Sequence, residues 1–369
     1  RVVVGFLIDS NRWTCTPGSK HSLGAASTLR PRARQHRSET QGPSARKAKL
    51  PRADAASRYA VCMLRIAHVS DLHVLSPMGV ELRRVLFNKR ITGYANLLMT
   101  RARVYRRPNL LAVLHDAAAH ADQLVVTGDI TNLSLEGEYL EACRLLDEVS
   151  RVTEVSVVPG NHDIYLPAIH HERRFLHHFG PYLNSDLPEL ALDLSAGPFP
   201  SVKLRGPAAI IGLSSAVPRP PFISAGHLGR DQLAALGRVL SHPEVARRTP
   251  VVLVHHSPFD SRFRVEQLRG GLVDASALRR SLMPVARGLV LYGHLHVRRH
   301  GRLRTNAGAL DVVCASAAAL DHPSPHVRAG YNVYELEDDG RIRAIEARVL
   351  DPATGVFERL ALARERGRT

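Results

Sequence analysis

The chain has 369 residues, 44% of them apolar and 23% charged, with a formal charge of +16. These shares suit a globular protein with a sizeable core, and no stretch approaches the ~18 consecutive apolar residues of a membrane-spanning helix. Collagen, a long coiled coil and an integral membrane helix are excluded. Cys15, Cys62, Cys143 and Cys314 lie far apart with no C-x-x-C pair. That spacing argues against a disulfide framework or a cysteine zinc site, and for a reducing, cytoplasmic compartment.

The charge is unevenly placed. Residues 1–62 hold 12 Lys and Arg against 3 Asp and Glu, so this stretch carries +9 and leaves +7 (16 − 9) for the rest. It is rich in Arg, Ser, Ala and Pro without a lasting apolar period, and reads as a disordered basic leader outside the working protein. Stacking aromatics for a nucleic-acid arm are nearly absent, with Phe6, Trp13 and Tyr59 alone. Met63 stands immediately before the first strand-like run.

From there, short β-branched runs predict strands at Leu64–Val69, Leu124–Val126, Val155–Val158, Ala209–Ile211, Val251–Val254 and Leu289–Leu291. Helical period appears at Tyr139–Leu146, Asp231–Leu236 and Ala277–Leu282. Three further strands, Asp311–Cys314, Tyr331–Tyr334 and Ile342–Ile345, follow without intervening helices. The pattern is an α/β layered domain over 63–350 with mixed or antiparallel pairing near its end, then a C-terminal tail at 351–369.

Five polar clusters close these strands in order: Asp71-Leu72-His73, Gly128-Asp129, Gly160-Asn161-His162-Asp163, His255-His256, and Gly293-His294-Leu295-His296. Ligands of open α/β sheets gather beyond the carboxyl ends of strands, so the five loops should converge. Carboxylate, imidazole and amide without thiolate suit manganese, iron or zinc. In an extended segment side chains two apart point the same way, which predicts that Asp71 with His73, and His294 with His296, reach one locus. The clustered His170, His171, His177 and His178 read as a solvated helix face, as does Arg298–Arg299.

This ordered set closely resembles the calcineurin-like metallophosphoesterases over about residues 63–350. The resemblance implies a four-layered α/β sandwich of two central mixed sheets flanked by helices. It also implies two divalent or transition-metal ions and in-line attack on a phosphoester by a metal-bridging hydroxide. Asp71, His73, Asp129 and His296 would hold one ion; Asp129 as the bridge, Asn161, His255 and His294 would hold the other. His162 would protonate the leaving oxygen and Asp163 would orient it. His256, beside a ligand, is a candidate for substrate contact or for supporting the ligands.

The substrate is less legible. Protein phosphatases of this superfamily carry G-D-x-x-D-R-G at the second block; here it reads Gly128-Asp129-Ile130-Thr131-Asn132-Leu133-Ser134, without Asp-Arg-Gly. The fourth block reads His-His-Ser-Pro at 255–258. Both resemble the branch of cyclic-nucleotide and other small phosphodiesterases, which implies a small phosphodiester substrate. Residues 81–107 carry eight basic side chains against Glu81 alone, interleaved with apolar ones. This basic amphipathic insert fits either a plain surface cap or peripheral contact with an anionic membrane, and with it a lipid-linked or nucleotide-activated acyl-sugar pyrophosphate as substrate. A non-catalytic scaffold would need no intact ligand set, and a nucleic-acid binder would concentrate basic and aromatic residues inside the domain, so no specific nucleic acid is expected.

Overall fold

The computed structural model describes residues 63–75, 104–261, 263–362 and 364. The leader 1–62 lies outside them, as does the 81–107 insert apart from its last four residues.

In chain order the strands are β1 (Met63–Val69), β2 (Gln123–Val126), β3 (Glu154–Val157), β4 (Leu192–Leu194), β5 (Gly197–Phe199), β6 (Ser201–Arg205), β7 (Ala208–Gly212), β8 (Thr249–Leu253), β9 (Arg287–Tyr292), β10 (Arg299–Arg304), β11 (Ala309–Cys314), β12 (Gly330–Glu337), β13 (Ile342–Leu350) and β14 (Phe357–Ala361). The helices are α1 (Arg107–His120), α2 (Glu136–Ser150), α3 (Pro167–His171), α4 (Arg174–Phe179), α5 (Arg230–Ser241), α6 (Pro243–Ala246), α7 (Arg264–Gly270) and α8 (Ala275–Leu282). Each strand and helix expected from the sequence falls on one of these.

Two six-stranded mixed sheets result, ordered β14-β13-β12-β1-β2-β3 and β10-β11-β9-β8-β7-β6. Within each, the strands that carry the polar clusters are parallel neighbours: β1, β2 and β3 in the first, β8 and β9 in the second. Alternation along the second sheet shows how the layers stack. Ile210, Val251, Leu253, Leu289 and Leu291 face the first sheet's core. Ile211, Val252, Val254, Val290 and Tyr292 face the other way, onto Leu236, Val239, Leu278 and Leu282 of α5 and α8. Strands buried on both faces read as continuous apolar runs, which is why these segments carry no polar alternation. On the first sheet α1 packs against β1, β2, β12 and β13. Asp116 of α1 clasps Arg348 of β13 through both carboxylate oxygens, at 2.7 and 3.0 Å, and accepts the Tyr331 hydroxyl at 2.7 Å. The fold is thus a four-layered sandwich.

Three expectations change. The segment beyond 350 is no tail throughout, because β14 pairs antiparallel with β13 and extends the first sheet. His178 is not on a solvated face: it is buried, stacked on Tyr139 at 4.8 Å, with Nε2 3.1 Å from Glu136. Arg298 is also buried, and its Nη1 donates to the Pro325 and Arg328 carbonyls, both at 2.7 Å. In each case a long or aromatic side chain finds a local partner that periodicity does not reveal. The described cysteines, Cys143 and Cys314, are buried thiols. Among the described residues no helix is long and apolar enough to cross a membrane.

Leu291 lies wholly buried between the two sheets. Leu291→Ala should therefore cost about 2–5 kcal/mol of unfolding free energy, read from the urea midpoint, with secondary structure retained.

Candidate dimetal centre

All five polar clusters leave the carboxyl ends of their strands toward one place, but the expected extended alternation is not what brings them together. Asp71, His73, Asp129, His294 and His296 all have positive φ, between 45° and 67°. Each is a left-handed residue in a turn directly off a strand, a conformation that Asp and His tolerate better than most and that costs about 1–3 kcal/mol apiece. Tight turns bring the side chains inward; strand geometry alone would not. The first two loops then zip together, with Asp71 N bonding the Gly128 carbonyl, His73 N that of Asp129 and Val74 N that of Ile130, at 2.9–3.0 Å.

Two glycines make the crowding possible. A Cβ at Gly160 would lie 2.2 Å from both the backbone N and Oδ1 of Asp129, and one at Gly293 would lie 1.9 Å from Ser70 Oγ. No side chain fits at either position.

The donor atoms form two groups. In the first, Asp71, His73, Asp129 and His296 each place a ligand atom within 4.8 Å of the others. Asp71 Oδ1 is 3.0 Å from His296 Nε2, and His73 Nε2 is 3.3 Å from the same nitrogen. In the second, His255 Nε2 lies 3.2 Å from Asn161 Oδ1 and 3.4 Å from Asp129 Oδ1. The His294 ring is beside it, its centroid 5.1 Å from that of His255. Donors sharing one ion at about 2.1 Å sit about 3 to 3.4 Å from each other, as these four contacts do. Asp71 Oδ1 is moreover fully buried, with the ring nitrogen of His296, itself a candidate ligand, facing it at 3.0 Å. The residues fit two metals, with Asp129 between them.

Charge in the site is carried by imidazoles and carboxylates. Burial opposes ionisation of Asp71, yet His296 and then His255 hold its carboxyl well below the usual range. Asp129 is held low against its burial by His255, His162 and His73. Burial works equally against a charged His255, but Asp129 as charge and hydrogen-bond partner, with Asp71 behind it, lifts it to about 9. His294 is pushed down to about 4 by burial and by the charge of His255.

His162 is partly exposed at the edge of the site. Its N–H donates to Asp129 Oδ1 at 2.8 Å, and Nδ1 lies 2.5 Å from the Asn132 carbonyl. Its own carbonyl accepts the Ser134 and Thr131 hydroxyls at 2.6 and 3.2 Å, and Tyr165 stacks on the ring. Asp163 does not orient this ring as expected. Its buried carboxylate accepts Thr131 N at 2.7 Å, Thr131 Oγ1 at 3.0 Å, Gly160 N at 2.9 Å and Ile130 N at 3.2 Å. It knits the second loop to the third, while Asn132 sets the His162 ring. Burial and the charge of Asp129 push Asp163 up to about 7, against those three N–H donors.

His256 is wholly buried, with Nδ1 2.8 Å from Ser215 Oγ and Nε2 2.8 Å from the Ser224 carbonyl. It packs against His255 and His294, at 4.9 and 4.7 Å between centroids, with a ring nitrogen within 4.8 Å of one on each of them. Sequence reasoning missed the contacts that set the rings, because most are backbone carbonyls (Thr127 to His255 Nδ1 at 2.7 Å, Asn132 to His162) that leave no side-chain signature.

Paired nitrogen and oxygen donor sets at the confluence of parallel strand ends define a candidate metal-binding site. The family model for calcineurin-like phosphoesterases matches residues 64–298, and the chain belongs to that family. Solved structures are similar at low identity. A purple acid phosphatase from seeds of yellow lupin (Lupinus luteus) is 12% identical with a TM-score of 0.49, over 83% of this chain and 55% of that one. A dimetal phosphatase from Danio rerio is 13% identical at TM-score 0.42, covering 81% and 99%. The Haemophilus influenzae NAD nucleotidase is 11% identical at 0.39, covering 82% and 54%. The chain spans about half the length of the lupin enzyme. The family assignment rests on the 64–298 match rather than on these likenesses. No curated protein matches the chain.

Gly160→Ala should displace Asp129, since the new methyl overlaps its backbone and carboxylate. The expected result is a loss of about 1–3 kcal/mol in stability and a fall in bound metal per chain measured by elemental analysis.

Proposed function

We propose that the chain hydrolyses a small phosphodiester, using two metal ions (manganese, iron or zinc) held by Asp71, His73, Asp129 and His296 on one side and by Asp129, Asn161, His255 and His294 on the other. The observation that supports this reading is the grouping of the Asp71, His73, Asp129 and His296 donor atoms, with His255 Nε2 beside it against Asn161 and Asp129. When bound, such ions neutralise phosphoryl oxygens and acidify a coordinated water.

The chain's own residues do the rest. His162 is locked to Asp129 through its backbone N–H, and Nδ1 is committed to the Asn132 carbonyl. That makes Nε2 the atom that delivers a proton to the departing oxygen. A monoester dianion calls for a further cation, whereas a diester carries one charge. Among the described residues, the positive groups acting most on Asp71 and Asp129 are imidazoles. Leu133 stands at the second-block position where the protein phosphatases carry Arg, and it is buried in an apolar cluster with Leu135 and Tyr165. Both points support a diester.

A second reading, a lipid-linked or nucleotide-activated acyl-sugar pyrophosphate, has its own observation. Leu295, between His294 and His296, is exposed, and so are Phe222, Phe263, Val265 and Leu268. The last two belong to α7, a helix with no buried residue, whose terminal Gly270 has its Cβ position 3.7 Å from His294 Nε2. Apolar surface this close to the site suits an acyl substituent.

Protein loaded with Mn²⁺ and assayed on bis-p-nitrophenyl phosphate, p-nitrophenyl phosphate and an acyl-sugar nucleotide separates these. A kcat/KM at least ~10-fold higher for the diester supports the first reading. A monoester preference sinks it, and preference for the acylated pyrophosphate installs the second. Asp129→Asn should lose both metal and nearly all activity. His162→Ala should keep its metal and slow turnover ~10²–10⁴-fold, most for esters with poor leaving groups; an equal loss for all leaving groups contradicts its role as acid.

A further inference from the structure

We propose that Tyr105 is a positioning residue for His296, aiming its Nε2 at the first metal position; the inference rests on the dimetal reading of that cluster. The Tyr105 hydroxyl lies 2.9 Å from His296 Nδ1. Its ring also meets His73 edge-on, with centroids 5.0 Å apart at 83°, and His296 at 6.2 Å and 81°. One side chain therefore abuts both imidazoles of the Asp71–His73–Asp129–His296 group.

Tyr105 is itself well fixed. Its backbone bridges Leu320 in antiparallel fashion, Arg106 N donates to the Ala319 carbonyl at 2.9 Å, and Asp321 N donates to that of Val104 at 2.7 Å. The residue is 9% exposed. His296 needs such a support. Its side chain is 25% exposed, whereas those of Asp71, His73 and Asp129 are 0–2% exposed. Its backbone is in the left-handed region at φ 53°. Burial that immobilises the other three donors does not immobilise this ring.

The hydroxyl does what a carbonyl would not. For Nε2 to offer a lone pair to a cation, the imidazole hydrogen must sit on Nδ1 and find an acceptor there, which the Tyr105 oxygen provides. The same oxygen carries a hydrogen of its own, so it can instead donate to Nδ1. Nε2–H then points to Asp71 Oδ1, 3.0 Å away. Both tautomers keep one ring orientation, so the ligand stands in place whether or not an ion is present.

The test uses Tyr105→Phe in the full chain, which keeps the ring and removes one oxygen. Metal-free protein is titrated with Zn²⁺ against a competing chelator. Wild type should take two equivalents; the variant should bind one of them ~10–100-fold more weakly, with the metal-free melting temperature unchanged. With Co²⁺ in place of Zn²⁺, the visible absorption bands of that one site should shift. His296→Ala and the double variant complete the cycle, and the double variant should lose no more affinity than His296→Ala alone. Unaltered binding of both equivalents by Tyr105→Phe, additive losses in the cycle, or a lower metal-free melting temperature with intact affinity would each overturn the assignment. Wild type that binds no metal would instead bring down the dimetal reading itself.

Discussion

The Asp129 carboxylate and the His255 imidazole, 3.4 Å apart, join two sheets that share no backbone hydrogen bond along their named strands. Asp129 hangs from the end of β2 in one sheet and His255 from the end of β8 in the other. The His255 ring is pinned by the Thr127 carbonyl at 2.7 Å, which again crosses from the second sheet to the first. His294 repeats the crossing, its backbone N donating to Asp71 Oδ2 at 3.0 Å. The site is therefore a seam between halves rather than a decoration on either. Packing of Leu253 and Leu291 against the first sheet sets the register of that seam, because rigid layers leave the strand ends little freedom to shift.

That seam is costly without a cation. Five ligand residues in left-handed backbone and the mutual repulsion of two carboxylates oppose folding in the metal-free chain, whereas the pairing with Asp129 that lifts His255 to about 9 favours it. The local scaffold offsets part of this. Glu138 at the start of α2 accepts the backbone N–H groups of Asn132, Leu133 and Leu135 at 3.2, 2.7 and 3.1 Å. Together with Asp163 it fixes the loop from Ile130 to Leu135 from both ends. An ion that binds only the folded site adds the remainder by mass action.

How much of this was legible follows from what kind of contact each residue makes. The proposed ligands (Asp71, His73, Asp129, Asn161, His255, His294, His296) stand in short polar words after strand-like runs, which chemistry marks as clusters and the family resemblance sorts into ligands. Asp163 was legible as important but not in its action, because the preceding His162 invites a pairing, whereas the carboxylate turns to the backbone of Ile130, Thr131 and Gly160. His256 reads in sequence as a candidate for substrate contact or for supporting the ligands, and alternation along the chain turns it into the core against Ser215 and Ser224. Tyr105 has no motif at all: its partner lies 191 positions away.

The second loop shows why the family's chemistry and this chain's specificity are written in different residues. Asp129 stands where the two proposed ions would share it. Four positions on, Leu133 faces away from the metals into an apolar cluster with Leu135 and Tyr165, and Tyr165 in turn stacks on His162. An arginine at 133 would have to bury a guanidinium there, at a cost of several kcal/mol, or turn the loop outward and break the Glu138 contacts. The apolar choice at 133 and the stacked His162 are thus one packing solution. It holds the His162 ring, the proposed proton donor, against Tyr165, and in the proposed reaction it leaves compensation of phosphoryl charge near this loop to imidazoles and to the proposed ions.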